Sequence, residues 1–277
     1  MTGFFWFVGL VLVLVPAVLA FYIFYYRRWQ RQRIASRPFP DEWGALLNDN
    51  MVLYRHLPAH YQKRLQQLTL IFLHEKRFYG CGDLILTDPM KVLIAAHACL
   101  LVLERGLTHY DSLRSILVYP GAYQAQLQSI ENGVHTTSDV ARLGESWHQG
   151  KVILSWQNVL SDSQQLHHGS NVALHEFSHQ LDQVNGAADG FPELSAGQSV
   201  KDWTRVFEKE FSDLREQVSR HHRASINAYG AENPAEFFAV VSEAFFTEPA
   251  ILQRQHPELF EQLRSYYKLN PLQWCEP

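Results

Sequence analysis

Five consecutive residues, His175-Glu176-Phe177-Ser178-His179, have the types and spacing to hold a metal ion and activate water. On a helix, residues four apart stand one turn above each other, so both imidazoles can aim at a single Zn²⁺. Glu176 lies about 100° further round, where its carboxylate can reach a water beside the ion. Two neutral nitrogen ligands and a carboxylate base on one helix suit metal-assisted hydrolysis.

The surrounding residues predict a helix over Asn171–Val184. Leu174, Phe177, Leu181 and Val184 repeat at helical spacing, and His175, His179 and Asp182 fall on roughly the opposite face. This pattern predicts one side buried in a core and the histidine side turned away from it. Ser170 or Asn171 can cap the start, and Asn185-Gly186 supplies a left-handed stop. Asp182, three residues after His179, either accepts the free N–H of a ligand imidazole or is a solvated acid.

A catalytic zinc ion takes three protein ligands and keeps one position open. No histidine follows Gly186 and Asp189 before His221, so the third ligand must come from elsewhere. The run Asn233–Phe246 reads as a second helix, with Asn233 as cap, Pro234 at the first position and Pro249 past the end. Glu236 and Glu243 are seven apart and share a face, with the small Ala239 between them. Glu236 is a candidate ligand, but it also stands where the glutamate of a capping box would stand. Glu243 is the alternative ligand, or the acceptor that orients a ligand histidine.

The segments Ala173–Asp182 and Asn233–Glu243 together resemble the Mlc titration factor A family of zinc peptidases. Leu84–Asp88, Ala95–Leu100, Val118–Gly121 and Gly150–Trp156 resemble it too, so the similarity runs from about Pro40 to the C-terminus. The family's metal site is of the gluzincin type, similar to that of anthrax lethal factor. The resemblance implies His175 and His179 as ligands, Glu176 as general base and Glu236 as third ligand. It also implies a hydroxyl from Tyr229 near the scissile carbonyl; by itself, Tyr229 is a loop aromatic. Peptide or protein substrates follow, with a lean toward aminopeptidase action. The family name implies a second possibility, a module that sequesters a cytoplasmic transcriptional regulator such as the Mlc repressor.

The family fold does not require the N-terminus of this chain. Phe4–Tyr26 contains no charged side chain. As a helix it spans about 35 Å, enough for a hydrocarbon core of about 30 Å. Trp6, Tyr22, Tyr25, Tyr26 and Trp29 lie toward its ends as an aromatic belt, and Arg27, Arg28, Arg31, Arg33 and Arg37 follow with no Lys or Arg before. A cleaved signal peptide would have a basic start and a shorter apolar stretch. The expectation is a single-pass anchor in the bacterial inner membrane, through residues 4–26, with the catalytic domain cytoplasmic.

The chain carries 24 basic and 28 acidic side chains, a net charge of −4. Without the arginine cluster the body is more acidic still, which argues against a nucleic-acid groove. The cluster suits topology and anionic headgroups. Cys81, Cys99 and Cys275 form no metal or redox motif, and His167-His168 and His221-His222 read as solvated loop residues.

The expected organisation is an anchor at 1–26, a basic linker at 27–40 and one zinc peptidase domain at 41–277. Further helices are expected at Pro58–Lys76, Asp88–Leu103, Val200–Arg220 and Pro257–Leu269. Short strands are expected near Ile116–Tyr119 and Lys151–Trp156, the latter as a substrate-binding edge or a core strand. Ala187–Gln198, rich in Gly, Ala and Ser, suggests a mobile loop beside the cleft. The fold class is a helix-rich α+β, zincin-like metallopeptidase domain with a small sheet, preceded by one transmembrane helix.

Overall fold

Three short strands, β1 (Arg77–Gly80), β2 (Ser115–Tyr119) and β5 (Lys151–Ser155), pair in parallel in the order β1-β2-β5. Ser115 registers with Arg77 on one side and Lys151 on the other. A separate antiparallel pair joins β3 (Ser129–Glu131) to β4 (Val134–Thr136). The computed structural model describes residues 2–121, 129–131, 134–136, 150–165, 169–186 and 188–274.

Helices make up most of the rest, giving the expected helix-rich α+β domain. They are α1 (Thr2–Ala35), α2 (Asp41–Asn50), α3 (Val52–His56), α4 (Ala59–Glu75), α5 (Asp88–Leu101), α6 (Trp156–Ser163), α7 (Val172–Asp182), α8 (Val200–Ser219), α9 (Pro234–Thr247), α10 (Pro249–Gln255) and α11 (Pro257–Tyr267). The crossover from β1 to β2 runs through α5, whose residues Val92–Leu101 are all buried, His97 included. Along β5, Val152 and Leu154 are buried while their neighbours are half-buried, the period of two that a one-sided core imposes. Among the described residues β5 is an end strand of its sheet, and Trp156 opens α6 instead of extending it.

The core gathers where α7 is wedged between β5, α5 and α9. Phe177 fixes that helix: its ring stands edge-on to Phe72 and Tyr110, each with centroids 5.8 Å apart. Such aromatic pairs add about 0.5–1.5 kcal/mol beyond their burial. The two-sidedness expected of α7 does not hold, because every residue from Ala173 to Asp182 is buried. The histidine face is covered by α9, so it forms an internal seam and not a solvated surface. On α8 the expected stripe holds: Trp203, Phe207 and Leu214 are buried, and Phe211 and Val218 pack against the core.

One N-terminal helix, α1, is long and apolar enough to cross a membrane, with a mean hydropathy of 2.7 over its most apolar stretch and none of that stretch buried. Within the expected linker of 27–40, α1 continues unbroken to Ala35 and docks on α4. Arg31 grips the Glu75 carboxylate with two hydrogen bonds, from Nε at 2.7 Å and Nη2 at 2.8 Å, and Nη2 also reaches Asp111 at 2.7 Å. Ile34 is buried in the core. These contacts recur every three to four residues, so one face of the helix end belongs to the domain.

Candidate metal centre

The start of α7 is held by several acceptors. The Asn171 side chain accepts from Leu174 N at 3.0 Å, and Asp162 Oδ2 accepts from Val172 N at 2.9 Å. Four N–H groups at a helix start lack intrahelical partners, and these side chains satisfy two of them. Glu243, from α9, accepts from the Asn171 backbone N–H and also lies 2.7 Å from His175 Nδ1. One carboxylate therefore fixes both the capping residue of the helix and the ring of its first histidine. With Nδ1 held by Glu243, His175 turns its Nε2 the other way.

That nitrogen meets two other ligand atoms. His175 Nε2 lies 3.0 Å from Glu236 Oε2 and 3.2 Å from His179 Nε2, and Glu236 Oε2 is 3.5 Å from His179 Nε2. All three residues are buried, and their ligand atoms lie within 4.8 Å of one another, a group that could hold a metal ion. Glu236 is positioned by its own helix start: Asn233 caps α9 by accepting from Glu236 N at 3.0 Å. The Glu236 side chain points at the two histidines. Glu243 takes the orienting place, and Glu176 is buried beside His175 on the same helix.

The electrostatics follow from burial and these contacts. Burial alone would lower the His175 pKa, but the carboxylates of Glu236 and Glu243 outweigh it and raise it to about 10. Burial dominates at His179 and lowers it to about 4. Glu236 resists its own burial through the bonds from His175 and His179 and falls to about 2. The group thus keeps a carboxylate and an unprotonated imidazole ready for a cation.

Tyr229 sits in a short 3-10 turn, Ala228–Ala231, with its ring centroid 5.8 Å from that of His175. Burial raises its phenol pKa, with Glu236, Glu232 and Glu176 adding to the effect. It borders the centre and is still 43% exposed, so it stands at the mouth of the site.

Asp182, read as either an imidazole acceptor or a solvated acid, is buried. Its Oδ2 accepts from Gly190 N at 2.8 Å. Burial raises this carboxyl to about 7, against the pull of the Gly190 and Phe191 N–H groups. Its role is to fasten the loop after α7. Gly190 is needed there, because at φ +77° an added Cβ would fall 2.3 Å from Pro234 O. The loop expected to be mobile is tied at several points: Asn185 Nδ2 donates to Phe191 O, Arg105 to Glu193 O and Ser195 Oγ, and Gln198 to Gln262 O. Ala187, His167, His168 and Cys275 lie outside the described residues. His221 and His222 are exposed, Cys99 is buried, and Cys81 is half-buried and unpaired.

No pattern in the sequence singles out Asp162. It ends a different helix, ten residues before the N–H group it accepts from. No local spacing rule links the two.

The chain matches the family described as glucose-regulated metallo-peptidase M90 over residues 26–268. An uncharacterized protein of Synechocystis sp. is 39% identical over 272 residues, which is 96% of this chain and 98% of that protein. That coverage is too complete to leave out the apolar run of 23 residues at the N-terminus. Mlc titration factor A of Klebsiella pneumoniae is 34% identical over 79% of this chain and 83% of its own length. The Pectobacterium atrosepticum protein of the same name is 32% identical over 84% and 87%.

Proposed function

The chain belongs to the glucose-regulated metallo-peptidase M90 family, and from that premise we propose that it hydrolyses peptide bonds with one zinc ion held by His175, His179 and Glu236. The observation that carries the reading is the convergence of three buried donor atoms at separations of 3.0, 3.2 and 3.5 Å. Tetrahedral zinc with N and O ligands at about 2.0–2.2 Å sets neighbouring ligands about 3.3–3.6 Å apart. The donors are within a few tenths of an ångström of that arrangement, and two imidazoles with one carboxylate suit zinc.

When bound, zinc would supply Lewis acidity toward the peptide carbonyl and make water a stronger acid. His175 and His179 present Nε2, and Glu243 holds the tautomer that lets His175 do so. Glu176 takes the proton of the attacking water and passes it to the leaving amine. Tyr229, at the mouth, donates its hydroxyl to the oxygen that gains charge. Asp182 supports the loop wall and has no part in proton transfer.

The test is zinc content and peptidase activity on a fluorogenic peptide panel, including free-amino-terminal substrates, with wild type and Glu176→Gln side by side. Zinc retained in both, with activity only in wild type, supports Glu176 as the base acting beside a bound metal. Equal activity in the two would remove Glu176 from that role.

The membrane reading rests on the exposed apolar helix and the arginines that follow it. It makes α1 a single-pass anchor in the bacterial inner membrane, with its N-terminus outside and the peptidase domain of residues 41–277 at the cytoplasmic face. The shared name of two relatives favours a second reading, in which the domain sequesters a cytoplasmic regulator and catalysis is incidental. Cellular function that survives Glu176→Gln would favour it.

A further inference from the structure

A cavity of about 310 Å³ opens where α1 meets the body of the domain. Arg28, Arg31, Arg64 and Arg105 line it, and no lining side chain is acidic. The arginines come from three separate parts of the chain, so the fold and not the sequence cluster assembles them. Arg31 is balanced locally, because Glu75 and Asp111 take its Nε and Nη2.

Arg105 and Arg64 are not balanced in this way. Arg105 donates to Ser195 Oγ, Tyr266 O and Glu193 O, lies near His109 Nε2, and stacks 4.1 Å from the Tyr266 ring centroid. Every one of those partners is neutral. Arg64 makes a single long contact, from Nε to Leu103 O at 3.5 Å. Neither has an ion pair among the described residues. Arg64 is exposed and Arg105 half-buried where they line the cavity, and no acidic side chain there offsets either charge. Ala35, Leu68, Ile71 and Leu107 add apolar surface to the lining.

We propose that this cavity binds the phosphate headgroup of an anionic phospholipid, an assignment that rests on the membrane reading of α1. Arg28 follows the last residue of the uncharged run by two positions. At 1.5 Å per residue, positions 28–32 lie about 3–9 Å beyond the hydrocarbon edge, the depth of the headgroup layer. Guanidinium groups engage phosphate oxygens in pairs, and basic pockets on the cytoplasmic side of membrane helices suit such headgroups. The apolar surface fits the glycerol and acyl end of a lipid, which inorganic phosphate lacks. The bound lipid would brace the junction between anchor and domain.

The test is native mass spectrometry of the full chain purified in detergent, offered equal amounts of phosphatidylglycerol and phosphatidylcholine. Wild type should retain phosphatidylglycerol in preference. Arg28→Gln and Arg64→Gln should each cut that preference about fivefold, the factor one basic side chain contributes at an anionic surface. Arg37→Gln, a member of the same sequence cluster that does not line the cavity, should leave it unchanged. Equal retention of both lipids by wild type would overturn the proposal. So would an equal loss in Arg37→Gln, or complete displacement by millimolar inorganic phosphate. Release of the chain from membranes by alkaline carbonate would overturn the membrane reading and this proposal with it. A carbonate-resistant chain with no lipid preference overturns this proposal alone.

Discussion

Two histidines of this molecule are held in nearly the same way and differ in what faces them. His175 Nδ1 lies 2.7 Å from the Glu243 carboxylate, and His256 Nδ1 lies 2.6 Å from that of Glu210. On the far side of the ring, His256 Nε2 meets the Ser225 hydroxyl at 2.7 Å. A hydroxyl can donate, so that chain of hydrogen bonds is complete without any ion. His175 Nε2 instead meets a second imidazole nitrogen and a carboxylate oxygen. Three ligand atoms converge there in a buried seam, a group that could hold a metal ion in place of the proton His175 otherwise carries. The carboxylate–histidine pair is therefore common to both regions, and the chemistry is decided at the other nitrogen. The His256 chain ties α8 and the start of α11 to the segment that leads into Tyr229, a structural strap.

The largest effect expected from breaking this contrast is Glu176→Gln. Loss of the general base should lower peptidase turnover by about 10²- to 10⁴-fold while zinc stays bound, read by steady-state kinetics and metal analysis. Glu243→Gln comes next. It leaves the three donors in place but loosens His175, so zinc affinity should weaken about 10- to 100-fold in a chelator competition. Its counterpart, Glu210→Gln, should leave zinc affinity unchanged and lower stability by about 1–3 kcal/mol in urea unfolding, because a buried charge-assisted bond is lost.

The smallest effect is a pH slope. The hydrogen bond from His256 holds the Glu210 carboxyl below its ordinary value of 4.5, against the effect of burial. A carboxylate depressed in the fold contributes stability above its unfolded pKa, and that contribution is lost as pH falls through the folded value. His256→Gln should therefore flatten the fall in stability below about pH 4.5, where protonation of the unfolded carboxylate begins. An unchanged acid slope would mean that the strap carries no linkage.

Legibility in the sequence follows the distance between interacting residues. His175, Glu176 and His179 lie on one helix, so spacing alone gives their relative geometry, and Asn171 and Asn233 announce their own caps. Which of Glu236 and Glu243 faces Nε2 depends on how α9 slides along α7, and residues seven apart on one face cannot say. Asp182 read as an orienting group because it follows His179 by nearly one turn. The loop closing back to Gly190 claimed it, and that closure is a tertiary event. The strap spans Glu210, Ser225 and His256, with no short spacing to find it. Residues 27–35 did carry a signal in the positions of Arg27, Arg31, Ile34 and Ala35, one helical face. The density of charge drew attention to topology and headgroups instead.

Metal content of the purified chain, measured after zinc loading and desalting, is the most direct test of the centre. Wild type and Ser225→Ala should each hold one zinc per chain, and Glu236→Ala should hold close to none while remaining folded. Full occupancy in a folded Glu236→Ala, or an empty folded wild type, would contradict the assignment of His175, His179 and Glu236 as the zinc ligands.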